Sequence, residues 1–545
     1  LPDHWREITA GPDAIERLSQ YEAVRLFIDR ATMARPAFQL SDANVQTVAQ
    51  ICWRLDGIPL AIELAAARIR VLTLQQIVER LDDRFRLLTT GTRTAVPRQQ
   101  TLRALIDWSY DLLTDPERQL LRRLSVFARG RTLEAIEAVC TGDGLEAWEI
   151  IDLLSQLVDK SLINVEKTPE LGARYFMLES IWDYAHEKLA EAGEAAVFRE
   201  RHLDYFLRLA EDAAPKIRGP AQREWLARIE QEDMNMRFAV EASEELPGQI
   251  SKGLRILAAT ERFMEVRGLF KKARAVFDRL LMHPDAAPRD AIRAEALAAA
   301  GRLAWLADDC PACQLAQEEA LHIFRELGDT RGTAIALADL GFLALDASDL
   351  PRARLLFDEA NALGQTLGDP RVTAHVSHTR AALTAAEHDF SQARALDEEA
   401  LALYREVGDT WLASIVSWGA GMNAAVLGDF DAARAHFTEC LRIGIELGIR
   451  WGASYPLEAF AALAVAERKY DRAARLFGAA ETQRARSGLV PQAADHPALL
   501  QILADAPGFT GPAIDAARRE GRALNYDDAI KLALCQTDGL QAVAG

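Results

Sequence analysis

Apolar residues recur at spacings of three and four along nearly the whole chain, and runs in which Val, Ile or Thr alternate with polar residues are almost absent. A spacing near 3.6 gathers apolar side chains on one helical face, so the pattern predicts a helical protein. One segment breaks it. Ser161-Leu-Ile-Asn-Val-Glu166 and Arg174-Tyr-Phe-Met-Leu178 are short apolar runs around Lys167-Thr-Pro-Glu-Leu-Gly172, which predicts a β-hairpin with a Pro/Gly turn. Helices are expected at about 102–113, 116–127, 132–140 and 146–158 before the hairpin and at about 179–192 after it.

Helices followed by a two-stranded wing have the order of a winged helix. Farther along, from about 290 to 485, the sequence repeats itself with a period of 40: Leu327-Gly-Asp329, Leu367-Gly-Asp369, Val407-Gly-Asp409 and Leu447-Gly448 mark one joint. Ser348-Asp349, His388-Asp389 and Gly428-Asp429 mark a second joint at half-period, so each unit is two antiparallel helices. Small residues at Gly301, Gly341, Ala381, Gly421 and Ala461, and again at Cys313, Ala353, Ala393, Ala433 and Ala473, let paired helices approach closely. Phe357, Phe437 and Phe477 follow four positions after the second small residue, whereas Gln317 and Asp397 take that slot in two units. The pattern resembles the tetratricopeptide repeat with a joint longer than in its usual form of about 34 residues.

The front of the chain carries another resemblance. Tyr21-Glu-Ala-Val-Arg-Leu-Phe27, Ile51-Cys-Trp-Arg-Leu-Asp-Gly-Ile-Pro-Leu-Ala-Ile-Glu-Leu-Ala65 and Leu81-Asp-Asp-Arg-Phe-Arg-Leu-Leu88 resemble the helical lid that follows the nucleotide-binding core of NB-ARC-type signalling ATPases. Gly57-Ile58-Pro59-Leu60 matches that family's Gly-x-Pro motif, which implies contact with an adenine ring: glycine admits close backbone approach, proline has no N–H to leave unpaired, and Ile58 and Leu60 offer apolar walls. Gly-x-Pro is also an ordinary helix stop followed by a helix start. Arg98–Leu113 and Leu120–Phe127 resemble the winged-helix module of bacterial multidomain transcription regulators of the STAND type. Where NB-ARC proteins carry Met-His-Asp, this chain has Met177-Leu178-Glu179, so that family's histidine contact to phosphate is missing. Gly-x-x-x-x-Gly-Lys-Ser/Thr is missing as well, leaving neither a cradle of backbone N–H groups nor a lysine for phosphates. ATP or ADP is therefore expected only with an upstream nucleotide-binding core, and the chain alone is expected not to be an enzyme. Residues 486–545 lack the basic recognition segment of a LuxR-type helix-turn-helix.

A length of 545 residues suggests several structural units. Pro/Gly clusters place a lid at 1–95, a winged helix at 96–193, a helical connector at 194–250, the repeat array at 251–485 and a helical tail at 486–545. The expected fold class is all-α: lid and winged helix with one small β-hairpin, then a tetratricopeptide-like α-solenoid. A net charge of −18 opposes loose binding to nucleic acid or acidic lipid. The helix before the hairpin bears Glu146, Glu149, Asp152 and Asp159 against Lys160, so direct DNA binding is not expected. Six cysteines without a disulfide-like framework argue for a reducing compartment, and with neither a membrane span nor a basic, apolar leader the expected location is the cytoplasm.

Cys310-Pro-Ala-Cys313 supplies only half of a zinc site, and Cys313 fills a small-residue slot. His375 and His378, one helical turn apart, lack an evident third ligand, so no metal is expected. The first helix of each repeat offers a groove register of Glu295, Arg302, Trp305, Phe342, His375, His378, Trp418, Met422, Tyr455 and Glu458. Aromatic and Met side chains suit adaptable recognition, though they also fill gaps between repeats. The expected partner is a protein segment or a small effector, with oligomer formation left open. The sequence thus points to a signalling or transcription-regulator polypeptide; the alternative is an interaction scaffold with no nucleotide role.

Overall fold

The computed structural model describes residues 1, 5, 13–55, 57, 59, 62, 65–66, 69, 72–80, 103, 106, 110–111, 113–160, 162–168, 172–487 and 509–534. The chain divides into two compact units, Leu1–Tyr205 and Phe206–Gly545.

The first unit opens with helices Ala14–Ser19, Glu22–Ala34, Val45–Arg54 and Leu74–Arg80. Their apolar stripes bury Leu18, Val24, Phe27, Val48, Ile51 and Ile77. Cys52 Sγ donates to the Ala23 carbonyl at 3.6 Å, and Arg54 Nη1 donates to the Val78 carbonyl at 3.0 Å.

After Thr114 comes helix Asp115–Arg123, opened by a capping box in which the Thr114 amide donates to the Glu117 carboxylate at 2.7 Å. Lys160 pairs with the other oxygen of this buried carboxylate. Burial pushes the Glu117 carboxyl up, but Lys160 and the Thr114 donors outweigh burial and hold it below its ordinary range. Helices Leu133–Cys140 and Ile150–Asp159 then lie between the first and second strands of a sheet, and Glu179–Glu191 follows it.

That sheet has three strands, β1 (Arg131–Thr132), β2 (Asn164–Thr168) and β3 (Gly172–Phe176), in the order β1-β3-β2. Both pairings are antiparallel, with Arg131 and Val165 flanking Tyr175. The expected two-stranded wing therefore gains a strand at the start of what the pattern gave to a helix. Two residues are too few to show alternation, and Thr132 serves both elements: its Oγ1 accepts from the Ala135 amide at 3.2 Å, capping the next helix. The helix expected over 146–158 begins instead as a 3-10 turn, Ala147–Glu149. The helix expected over 102–113 lies largely outside the described residues.

The second unit is all helix among the described residues. Gln222–Glu245, Ile250–Val266 and Phe270–Leu281 lead into five helix pairs. These are Ala291–Leu306 with Cys310–Leu327, Thr330–Asp346 with Leu350–Leu367, Pro370–Ala386 with Phe390–Val407, Thr410–Val426 with Phe430–Glu446, and Ser454–Ala466 with Tyr470–Ser487. Asp309, Asp329, Asp349, Asp369, Asp389, Asp409 and Asp429 each accept a backbone amide at the start of a helix. The residue before each of them has positive φ. A left-handed residue ends one helix and an aspartate starts the next, setting the turn geometry of a tetratricopeptide-like array.

Inside the pairs, Phe357 and Phe437 are fully buried. A Cβ on Gly421 would lie 2.6 Å from Phe437 Cε1, so the glycine is required by helix proximity. After Gly448 the metre breaks: Ile449 replaces the aspartate cap, and a 3-10 turn, Trp451–Ala453, precedes the last pair. Helices Pro512–Arg522 and Tyr526–Leu534 pack on Tyr470–Ser487, with Ala529 and Ala533 entering the core around Phe460 and Leu476. Among the described residues no helix is long and apolar enough to cross a membrane.

Candidate functional site

The helices leading into the array return to its later repeats. Gln222 Oε1 accepts the Trp411 amide at 2.9 Å, and Arg371 Nη2 donates to the Arg218 carbonyl at 3.0 Å. Arg267 Nη1 donates to the Leu447 carbonyl at 2.7 Å, and Trp451 Nε1 to the Val266 carbonyl at 3.2 Å. Gly408 ends its helix at φ +73, where a Cβ would lie 2.6 Å from Pro220. The array thus closes on its own beginning.

The closure is charged as well as apolar. Buried Glu261 accepts from Arg302 Nη2 at 2.8 Å and Arg218 Nη2 at 3.1 Å. Burial pushes the Glu261 carboxyl up, but the surrounding arginines outweigh it and hold the group low. Arg302 continues to Asp339 at 3.4 Å, whose Oδ2 also accepts from Gln317 Nε2 at 3.1 Å. Where two repeats lack the aromatic, a polar side chain therefore reaches the neighbouring helix. Asp397 does the same, with His378 Nδ1 at 2.8 Å and Asn423 Nδ2 at 3.0 Å. His375 Nε2 faces Asp339 at 3.4 Å, so the two histidines turn to different carboxylates.

Beside this closure lies a cavity of about 560 Å³. Its wall includes Trp411, Ser414, Ile415 and Trp418 from one helix, Cys440, Leu441 and Gly444 from the next, Trp451 from the broken joint and Tyr455 from the helix after it. Phe270 and Trp305 enter from the beginning of the array, and Tyr526 from the C-terminal helix. The rings are locked edge to face: Phe270 and Trp451 have centroids 4.9 Å apart at 87°, and Trp411 and Trp451 are 5.8 Å apart at 66°. Trp418 and Tyr455 stand 6.2 Å apart at 67°. Trp305 Nε1 donates to Asp346 at 2.6 Å, fixing that ring. Burial pushes the Cys440 thiol up to about 12, keeping it protonated.

Of the groove residues anticipated from the sequence, Trp305, Trp418 and Tyr455 share this cavity. Phe342 lies between Trp305, at 6.2 Å, and His378, at 5.8 Å. Met422 packs on the core that holds Phe437 and Phe460. Trp411 is one the sequence reading missed; the stripe Trp411, Ser414, Ile415, Trp418, at helical spacing, could have shown it. Phe270, Trp451 and Tyr526 come from outside the repeat register and left no local signal.

In the first unit, Gly57 has φ +68 and sits against Ala23, while Pro59 is exposed. Ile58 and Leu60 lie outside the described residues. The phosphate-binding motif Gly-x-x-x-x-Gly-Lys-Ser/Thr does not occur in the sequence. On the winged helix, Glu146, Trp148, Ile151 and Asp152 are exposed, and Lys160 is engaged by Glu117. Near the array's start, Cys313 is buried, its thiol pushed up to about 12 by burial.

Residues 113–190 match the winged helix-turn-helix domain family. The chain is 41% identical over 320 residues to a Mycobacterium tuberculosis protein that carries the provisional name HTH-type transcriptional regulator, covering 56% of this chain and 35% of that one. It is 44% identical over 182 residues to an uncharacterized Mycobacterium tuberculosis protein, covering 33% of this chain and 46% of that one. The chain thus spans between about a third and a half of the length of these relatives. A Pyrococcus horikoshii signal transduction ATPase with numerous domains, bearing a tetratricopeptide repeat sensor, superposes with a TM-score of 0.40 at 14% identity, covering 94% of this chain and 74% of that one. With its family match, three-stranded wing and capped helices, the 113–190 segment is a winged helix-turn-helix domain, followed in the chain by a tetratricopeptide-like helical array.

Proposed function

We propose that this chain is the coupling and sensing part of a bacterial transcription regulator of the STAND type, in which the helical array receives the signal. The observation that carries this reading is the half-open aromatic cavity formed where the array closes on itself. A scaffold that only displays helices needs no such concave, aromatic-lined site, whereas a sensor does. Similarity to an HTH-type transcriptional regulator supports the assignment to gene control. The winged helix presents acidic Glu146 and Asp152 with exposed Trp148, a face suited to protein contact and repelled by phosphates. Nucleotide hydrolysis is assigned to a separate P-loop core, because this sequence has no Gly-Lys pair with which to hold phosphates.

The test is genetic. Deleting the gene in its host should change the level of a defined set of transcripts, and a chromosomal Trp418→Ala allele should change the same set. Leu315→Ala, on an exposed outer position, should behave as wild type. Unchanged transcripts in the deletion strain would overturn the reading in favour of a scaffold.

A further inference from the structure

The wall of the cavity is chemically one-sided. Among the described residues of its lining, four are tryptophans, Trp305, Trp411, Trp418 and Trp451, and the formal charges, Lys271, Lys272 and Asp308, are on exposed residues. A ligand charge carried inside would find no counter-charge there and would lose its hydration uncompensated. An onium cation would need rings held apart as a cage, yet Trp451 is packed edge-on by both Phe270 and Trp411. A peptide needs donors and acceptors for its backbone at every residue, and a lining dominated by indole, phenyl and aliphatic groups, with hydroxyls at Ser414, Tyr455, Ser487 and Tyr526, offers them only at scattered points. The volume of about 560 Å³ lies within the range of small-molecule sites.

We infer that this cavity binds an uncharged, flat, largely apolar small molecule, an aromatic or fused-ring compound, and that this is the signal of the array. The inference rests on the reading of the array as a sensor and narrows its ligand to one chemical class. Such a ligand lies flat on the indoles and bridges the start, the later repeats and the C-terminal helix at once through Phe270, Trp418 and Tyr526. Its binding therefore favours the closed array over any opened form.

The probe is N-phenyl-1-naphthylamine, neutral and flat, whose emission rises in apolar surroundings. It should bind the full chain saturably at one site. Gly444→Met fills the cavity: Gly444 is helical and lines it, and a Cβ there meets nothing closer than the Ile449 carbonyl at 3.9 Å. That variant should lose affinity by about tenfold or more with an unchanged melting curve. Gly452→Met, likewise open with Ile449 at 3.9 Å, should do the same, and Leu315→Ala should bind as wild type. Equal affinity in both glycine variants would overturn the site. Phenyltrimethylammonium or 8-anilinonaphthalene-1-sulfonate displacing the dye as well as neutral naphthalene does would overturn the ligand class. If the dye binds as described while the deletion strain shows no transcript change, the cavity stands and the regulator reading falls. If transcripts respond while both glycine variants still bind dye and signal normally, the regulator reading stands and this site falls.

Discussion

Arg262 and Asp409, 147 residues apart in sequence, meet at 3.3 Å with both side chains buried. Asp409 is one of the evenly spaced aspartates that start helices in the array, and its Oδ1 accepts the Leu412 amide at 3.2 Å. It differs from its counterparts in what lands on it: Arg262 and Gln222 reach it from the beginning of the same unit. A capping residue has thus become an anchor of the closure.

The first prediction compares equivalent caps. Asp329→Ala should cost about 1 kcal/mol, the ordinary worth of a helix cap. Asp409→Ala should cost about 3 kcal/mol more, because Arg262 loses one of two carboxylates while still buried; Glu265, at 2.8 Å, remains. Denaturant titration of the full chain, with hydrogen exchange to assign the loss to residues 218–270, measures the difference. Equal costs would show that the closure contributes nothing.

A second comparison separates glycines that look alike in sequence. Gly421→Ala puts a Cβ 2.6 Å from the Phe437 ring, and overpacking of this kind costs about 1–3 kcal/mol. Gly364 sits inside a helix with its nearest neighbour, Val372, at 3.6 Å. Gly364→Ala should therefore be neutral or stabilise by up to about 1 kcal/mol. The two melting temperatures should move in opposite directions, or only the Gly421 variant should fall.

These glycines also show what the sequence made readable. The Leu-Gly-Asp joints, Gly421 and Phe437 are local or pairwise signals at fixed spacing, so the helix pairs and their packing follow from the chain itself. The replacement of the aromatic by Gln317 and Asp397 was visible too, although their partners Asp339 and His378 were not. Closure was invisible, since Arg262 and Asp409 share no periodicity. The cavity was half legible for that reason: Trp305, Trp418 and Tyr455 lie on the repeat register, while Phe270, Trp451 and Tyr526 reach it only through tertiary contact. Arg131–Thr132 escaped because a two-residue strand carries no pattern, its place being set by pairing with β3.

In the winged helix, Arg123 should be irreplaceable even by lysine. Its Nη1 donates to the Cys140 and Gly142 carbonyls at 2.8 and 2.7 Å, and its Nη2 to the Asp143 carbonyl at 3.2 Å. The guanidinium also lies 4.2 Å from the centre of the Phe198 ring. A lysine ammonium cannot reproduce this fork and stack, and it would be buried with carbonyls left unpaired. Arg123→Lys should cost about 3 kcal/mol, read as a lower denaturation midpoint of residues 113–190 by hydrogen exchange. A variant as stable as wild type would refute the role assigned to the fork.

The last prediction concerns how the C-terminal helices stay on the array. Glu481 accepts from Arg518 Nε at 3.0 Å and Arg522 Nε at 2.8 Å, and a Cβ on Gly521 would collide with the Arg475 carbonyl. Charge and close approach therefore hold the same contact. Burial pushes the Glu481 carboxyl up, but the two arginines outweigh it and hold the group below its ordinary 4.5. A carboxyl depressed in the folded state stabilises it above the unfolded value, and that gain is lost as pH falls through the folded value. Amide protection of residues 512–534, corrected for intrinsic exchange, should hold above pH 4.5 and fall as the pH drops below it toward the lower folded value. Glu481→Gln should flatten that fall and start from lower protection at neutral pH, and Gly521→Ala should lower protection at every pH. Because Tyr526 lines the cavity, both variants should also weaken N-phenyl-1-naphthylamine binding. Undiminished dye affinity in a variant whose C-terminal helices exchange freely would mean that Tyr526 stands at the cavity without closing it.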